Sequence, residues 1–213
     1  MITKTQSPWD KDYKENQQAP IYEPLWKKLE YFLNNIHGKS LLDYGCGDGN
    51  YSILMEKLGF NVIGIDFSSS AIEIAKNSCG SDKLTFYSAD KIPDNIQKNS
   101  FDVVVMLNVL HCLSNPVRQK LLEQVRDVLK DKGYFFASVL STDDESYPRT
   151  EWTEVEPGTF NDGSGKLFHF FTLDEIIKEL DNINVLQTDR LENIHPDAGR
   201  KSSLHIIFGL VEK

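Results

Sequence analysis

LLDYGCGDGN, residues 41–50, sets two leucines and an acid ahead of a loop with three glycines, Gly45, Gly47 and Gly49. An apolar strand that opens into a glycine turn and then a helix predicts the ligand-binding end of an open parallel sheet, where ligands meet the carboxyl ends of the strands. The surrounding pattern agrees. NYSILMEKLG (50–59) reads as helix, NVIGID (61–66) as strand, SSSAIEIAKN (68–77) as helix and KLTFYS (83–88) as strand. FDVVVMLNVL (101–110) is the most apolar strand; a helix follows from near Pro116 to Gly133, and YFFASVL (134–140) is the next strand. Strands apolar on both faces, joined by helices of this length through right-handed crossovers, imply a parallel sheet covered on both sides.

The ends of the chain complete the pattern. IYEPLWKKLEYFLNNI (21–36) has apolar residues at helical spacing and Gly38 as its stop, so a helix leads into the first strand. Before it lies an aperiodic arm, to about Gln18, whose Trp9 and Tyr13 call for a docking surface. TLDEIIKEL (172–180) predicts a helix capped by Thr172, with Glu175 completing a capping box. INVLQTDRLE (183–192) and SSLHIIFGLV (202–211) are separated only by the turn in ENIHPDAGRK, and such a hairpin is antiparallel. Residues 142–168 interrupt the rhythm with acids, glycines, prolines and aromatics. Because Trp152, Phe160 and Phe168 need burial, this stretch reads as an inserted loop or short hairpin, not a linker.

Composition narrows the function. The 213 residues suit one medium domain, or one with an insertion, and a net charge of -9 without a basic stripe disfavours a nucleic-acid partner. Cys46, Cys79 and Cys112 are widely spaced, with no Cys/His spacing of a metal site, which fits reduced thiols in a cytosol. The polar N-terminus and the lack of a long apolar run predict a cytoplasmic protein without a membrane span.

The loop excludes P-loop phosphate binding and weakens a third possibility, an NAD-dependent oxidoreductase. A P-loop needs Lys-Ser or Lys-Thr after its last glycine, where this chain has Asn50 and Tyr51. The dinucleotide fingerprint needs its third glycine at position 50, and the spacing here is G-x-G-x-G. Asp43, beside the loop, repels a pyrophosphate and suits an ammonium. Asp66 ends the next strand, where a carboxylate accepts from both ribose hydroxyls, and Asp90 ends the strand after that, within reach of an adenine amino group. Ammonium, ribose and adenine without phosphate describe S-adenosyl-L-methionine.

With those residues in place, 39–140 resembles the core of a class I S-adenosylmethionine-dependent methyltransferase of small-molecule type. LLDYGCGDGN resembles its first motif, VIGIDFS its ribose motif, YSAD its adenine motif and FDVVVMLNVLHCL the strand of its fourth motif. The resemblance implies a Rossmann-like α/β fold of seven mostly parallel strands, helices on both faces and an antiparallel last strand. It implies a methionine pocket shaped by Asp43, Gly45, Cys46, Gly47 and Gly49, although Cys46 by itself reads as a packing residue. Asp66 would hold ribose, Phe67, Ala89 and Asp90 adenine, and the backbone at Leu107 and Asn108 the methionine amine, while Tyr13 resembles the aromatic arm that such enzymes fold over the cofactor. The implied organisation is an arm and helix over the cofactor site (1–38) and a core (39–213) with an inserted lid (142–168).

Methyl transfer is an in-line displacement in which positioning and exclusion of water supply much of the catalysis, and a base is needed only where the nucleophile must lose a proton. His111 and His169 are the candidate catalytic groups on the acceptor side, each with a structural role as its rival. The lid's acids, Asp143, Asp144, Glu145, Glu151, Glu154 and Glu156, read either as selectors of a cationic amine or as solvated surface. The expectation is transfer to a small-molecule acceptor by a monomer or homodimer. Action on a protein or tRNA, and non-catalytic cofactor binding, stay open as alternatives.

Overall fold

Leu41 and Leu42 have no exposed surface in β1 (Ser40–Tyr44), which lies parallel to β2 (Asn61–Asp66) in the computed structural model of the chain. The structure describes residues 8–15, 20–145, 147, 150–194 and 201–213. β3 (Leu84–Ser88) is parallel to β2, and β5 (Leu129–Leu140) is parallel to β4 (Phe101–Leu107). The last strand, β10 (Lys201–Val211), runs antiparallel to both β5 and β9 (Asn184–Ile194). The sheet order is β3-β2-β1-β4-β5-β10-β9, the expected seven-stranded mixed sheet with its antiparallel hairpin at one end. Right-handed crossovers through α3 (Asn50–Lys57) and α4 (Ser69–Asn77) run one way from β1, and the crossover through α5 (Asn115–Val128) runs the other, so helices cover both faces.

By contact the chain forms two compact units, residues 1–95 and 96–213, a division inside the segment read from sequence as one core. In the first unit the helix ahead of β1, α2 (Glu23–Leu33), buries Leu25, Leu29 and Leu33. It stops short of Ile36, because Asn34 to Ile36 close into a turn onto Glu30, Phe32 and Leu33 carbonyls. In the second unit α5 ends at Val128, five residues before the expected stop at Gly133. Leu129 takes extended geometry and pairs with Phe101, while Lys132, at φ 58°, bends the chain so that Tyr134 pairs with Val103. The strand thus begins where periodicity alone extends the helix.

The inserted segment is a three-stranded antiparallel sheet, not a loop or single hairpin: β6 (Thr153–Glu156), β7 (Thr159–Asn161) and β8 (Leu167–His169). Its approach continues the main sheet, with Ser141 N–H donating to Ser203 O and Glu145 N–H to Lys201 O. Parts of the arm (1–7, 16–19), of the lid (146, 148, 149) and of the hairpin turn (195–200) lie outside the described residues. After β8, α6 (Leu173–Glu179) starts with the expected capping box: Thr172 Oγ1 accepts from Glu175 N–H, and the Glu175 carboxylate accepts from Thr172 N–H.

Candidate active site

The glycine loop of the first unit is held in a conformation that only glycine adopts easily. Gly45, Gly47 and Gly49 have φ of 77°, 54° and 79°. Gly45 N–H and Cys46 N–H both donate to Ile65 O, at 2.7 and 3.1 Å. Asp66 then joins the loops after β1 and β2, its Oδ2 accepting from Gly47 N–H at 3.0 Å and its Oδ1 from Ser68 N–H at 2.8 Å. Cys46 turns its side chain into the core with Ile72, Ala75 and Phe86, and burial pushes the thiol well up. A Cβ on Gly64 would collide with Phe86 and with the Cys46 sulfur. Any contact of Cys46 with a ligand is therefore through its backbone.

Three acids line this loop. Asp43 is 2% exposed, and its Oδ2 accepts from Ser52 Oγ at 2.5 Å. Burial pushes its carboxyl up to about 7 against the lowering effect of Ser52, with the Asp66 charge adding to the rise. Asp66 is also raised by burial, opposed by the Ser68 and Gly47 amides. Asp48 is buried and accepts from the Asn50 backbone and side chain. Among the described residues no cationic side chain is bonded to Asp43 or Asp66. A buried carboxyl without its own cation fits a cationic ligand and opposes a phosphate. S-adenosylmethionine, which carries two positive charges and no phosphate, passes this test.

The elevated Asp43 has a testable pH signature. Its proton is held more tightly in the folded than in the unfolded chain, so it favours folding most below its unfolded value near ~4, and that contribution is lost as pH rises through about 7. Affinity for a cation runs the other way, because the ionised form is the one that attracts it. Affinity for S-adenosylmethionine is expected to climb from pH 6 to pH 8 in the wild type and to be flatter in Asp43→Asn, as read by calorimetry at each pH.

The arm docks on this loop through Asp10, which sequence patterning did not single out, and through Tyr13, a candidate from the sequence. In α1 (Asp10–Glu15), Asp10 is 5% exposed, and its Oδ1 accepts from Ser68 Oγ at 2.6 Å and from Ser70 N–H at 3.3 Å. One turn later the Tyr13 hydroxyl fills the space above Gly47 that any Cβ would need. Burial, then the Asp66 charge, raises the Tyr13 phenol, so it stays a neutral donor. At the far rim Tyr44 donates to Asp90 O at 3.0 Å and Ala89 N–H to Asp66 O at 2.9 Å. The Asp90 side chain is exposed and Phe67 is 45% exposed.

In the second unit, Asn108 ends β4 in the left-handed region at φ 58°. Buried Ser138 holds it there: Asn108 N–H donates to Ser138 O and Oγ, and Ser138 Oγ donates to Asn108 Oδ1 at 3.0 Å. The turn Leu110–Cys112 follows and carries His111. His111 Nδ1 accepts from Leu140 N–H at 3.2 Å, which places the ring proton on Nε2. Burial lowers His111 to about 3, with His169 lowering it further and Asp144 opposing. Its ring lies at 21° to Phe168 with centroids 6.5 Å apart, and Phe168 in turn packs on Trp152 at 4.9 Å.

His169 is 2% exposed at the end of β8. Its Nδ1 is 2.7 Å from Thr159 Oγ1, while Nε2 lies 3.2 Å from Glu175 Oε1 without forming a hydrogen bond. The Glu175 carboxylate favours the Nε2 proton, leaving Nδ1 to accept from Thr159. Burial, then Arg118, lowers His169 to about 4. Both candidate histidines are thus neutral, with their ring lone pairs committed, and neither has the free lone pair of a general base.

The lid's acids are also committed. Asp143 pairs with Arg190, Asp144 accepts from Ser202 Oγ and Ser203 N–H, and Glu145 accepts from Lys201 N–H. Glu154 accepts from Gly158 N–H, and Glu156 from Asn115 N–H, the first residue of α5. These five of the six acids fix turns and a helix start. His205 is another group that the patterning passed over: it is bonded to Phe171 O through Nε2 and lines a cleft of about 490 Å³ with Thr142, Thr172 and Arg190.

A seven-stranded sheet in this order, opening on an acid-lined glycine loop, defines the class I methyltransferase architecture. Known structures agree on the fold. A SAM-dependent methyltransferase of Methanosarcina mazei superposes with a TM-score of 0.72 at 20% identity, covering 86% of this chain and 98% of that one. The 1,6-didemethyltoxoflavin-N1-methyltransferase of Burkholderia thailandensis, with its substrate and S-adenosylhomocysteine bound, gives 0.68 at 17% identity, covering 89% of this chain and 77% of that one. In sequence the chain is similar to a ubiquinone biosynthesis O-methyltransferase of Actinobacillus pleuropneumoniae, 30% identical over 137 residues, or 60% of this chain and 57% of that protein. The chain spans little more than half the length of such curated relatives. Residues 13–185 match the model of a methyltransferase domain, and the chain belongs to that S-adenosylmethionine-dependent methyltransferase family. No helix among the described residues is long and apolar enough to cross a membrane.

Proposed function

We propose that the protein binds S-adenosylmethionine at the acid-lined loop and transfers its methyl group to a small-molecule acceptor. The observation that carries this reading is Asp43, a buried carboxyl raised to about 7 beside three glycines, with no cationic side chain bonded to it among the described residues. When bound, the cofactor supplies a methyl carbon activated by a sulfonium charge. The chain's own residues bind and orient it. Each Asp66 oxygen already accepts one backbone N–H and keeps a further lone pair for a ribose hydroxyl. Phe67 offers its exposed face and Asp90 its exposed carboxylate to the adenine. Tyr13 closes over Gly47 and excludes water from the methionine end. The backbone at Leu107 and Asn108, in the second unit, is a candidate partner for an ammonium, with Asn108 in the left-handed region.

A small molecule as acceptor is supported by the net charge of -9 and by the half-buried lid residues Phe168 and Trp152, with Phe168 lying against buried His111. It also agrees with the relatives whose names specify ubiquinone biosynthesis and toxoflavin-type substrates. Incubation of the pure protein with methyl-labelled cofactor and a host-cell extract tests it. Label is expected in the small-molecule fraction; label confined to protein or RNA would overturn the reading.

A further inference from the structure

The cleft beside His205, within the second unit, is built from residues that neither the glycine loop nor the turn at His111 uses. β10 and β9 pair antiparallel with His205 opposite Arg190 and Ile207 opposite Thr188, so His205, Arg190 and Thr188 project from one face of the sheet. Thr142 and Asp143, which follow β5, complete the wall of a cavity of about 490 Å³, within the usual range for small-molecule sites. His205 is held there in one tautomer. Its Nε2 lies 3.1 Å from Phe171 O, which only accepts, so Nε2 carries the proton and Nδ1 keeps a lone pair. Burial lowers the ring's basicity, against the Phe171 carbonyl and Asp143, so the imidazole is neutral at pH 7 and Nδ1 is an acceptor. Among the described residues no donor is bonded to Nδ1, and neither the Thr142 nor the Thr188 hydroxyl has a bonded partner.

The charges around this acceptor decide what it can take. Arg190 is shared among Asp143 through Nη1, Glu192 through Nη2 and Ser203 through Nε. Asp189 also lines the cleft, and with Lys201 shared by Glu192 the group still holds three carboxylates against two cations. An anion entering here meets a guanidinium already satisfied and a surplus of negative charge; a cation meets neither obstacle. Only Oδ2 of Asp143 is taken by Arg190, which leaves Oδ1 as a second acceptor beside His205. We propose that the cleft binds a small primary-ammonium compound, whose N–H groups donate to His205 Nδ1 and Asp143 Oδ1 while the Thr142 and Thr188 hydroxyls bond its other polar atoms. This goes beyond the methyltransferase reading and does not depend on it.

The test is titration of the full chain with ethanolamine and putrescine, read by calorimetry and by backbone amide shifts, with tetramethylammonium, glucose and inorganic phosphate as controls. Saturable binding of the amines is expected, with shifts concentrated at Thr142, Asp143, Thr188 and Arg190. Tetramethylammonium carries the charge without an N–H and is expected not to bind. Asp143→Asn removes a charge at an exposed position and is expected to weaken amine binding about tenfold or more; Thr188→Val, of similar shape, is expected to weaken it about threefold. His205→Phe is expected to abolish it, compared only if circular dichroism shows the fold retained; Asp143→Asn serves where it is not. Absence of amine binding at millimolar concentration would overturn the proposal. So would binding of phosphate or glucose in place of the amines, equal binding of tetramethylammonium, or unchanged affinity in Asp143→Asn.

Discussion

Replacing Asp66 by alanine is expected to weaken S-adenosylhomocysteine binding by about 2 to 5 kcal/mol, or ~30- to ~5,000-fold in Kd. Two hydrogen bonds to ribose through a charged acceptor account for the loss. The variant also leaves Gly47 N–H and Ser68 N–H without their partner, so the loops after β1 and β2 lose the group that ties them together. Unfolding is therefore expected to become easier by about 1 to 3 kcal/mol for each donor left buried and unsatisfied. Circular dichroism on the variant separates the two effects, because binding is compared only where the chain is folded. Asp66→Asn, which keeps one acceptor oxygen, should fall between wild type and Asp66→Ala; binding unchanged in both would remove Asp66 from the ribose site.

Arg118 carries the largest expected effect on stability. It is 1% exposed on α5, and its guanidinium makes two hydrogen bonds to Glu179 of α6, at 3.0 and 2.8 Å, and a third to Leu113 O at 2.7 Å. It also lies over the Phe171 ring at 5.0 Å. Removing one member of a buried ion pair leaves the other charge uncompensated, which typically costs about 3 to 5 kcal/mol. For a chain of this size Arg118→Ala is expected to lower Tm by roughly 6 to 20 °C. Replacing both partners with apolar residues, Arg118→Met with Glu179→Leu, is expected to recover most of the loss, because the pair's desolvation cost disappears with it. A Tm for Arg118→Ala close to wild type would show that the pair contributes little.

What could be read from the chain and what could not divides along the range of the interactions. NVIGID forms β2 residue for residue, and Thr172 caps the helix it precedes, because apolar runs and caps are set by neighbours a few positions away. The mostly parallel sheet with an antiparallel hairpin at one end followed from the strand-helix alternation and the closing turn, whereas the order of its strands was not read from the sequence. Nor was the start of β5 at Leu129, since it depends on pairing with Phe101 and on the bend at Lys132. The lid's three strands are at most four residues long, too short for an alternating pattern to rise above its glycines and acids.

The site divides in the same way. Asp43, Asp66 and the glycines stood out because strand ends are local features of the sequence. Asp10, Ser138 and Arg118 act across 58, 30 and 61 positions, and no local pattern reveals such partners. The histidines show the limit most clearly. His111 and His169 were recognisable as candidates by residue type and place, yet whether each can take a proton depends on Leu140, Thr159 and Glu175, which only folding brings to them.

The central claim is that the loop after β1 receives a nucleoside that carries an ammonium group and no phosphate. Calorimetric titration of the purified protein with S-adenosylhomocysteine, with NAD and ATP as competitors, tests it most directly. The account predicts saturable one-site binding of S-adenosylhomocysteine that neither competitor displaces and that Asp66→Ala weakens. Absence of binding, or displacement by NAD, would contradict it.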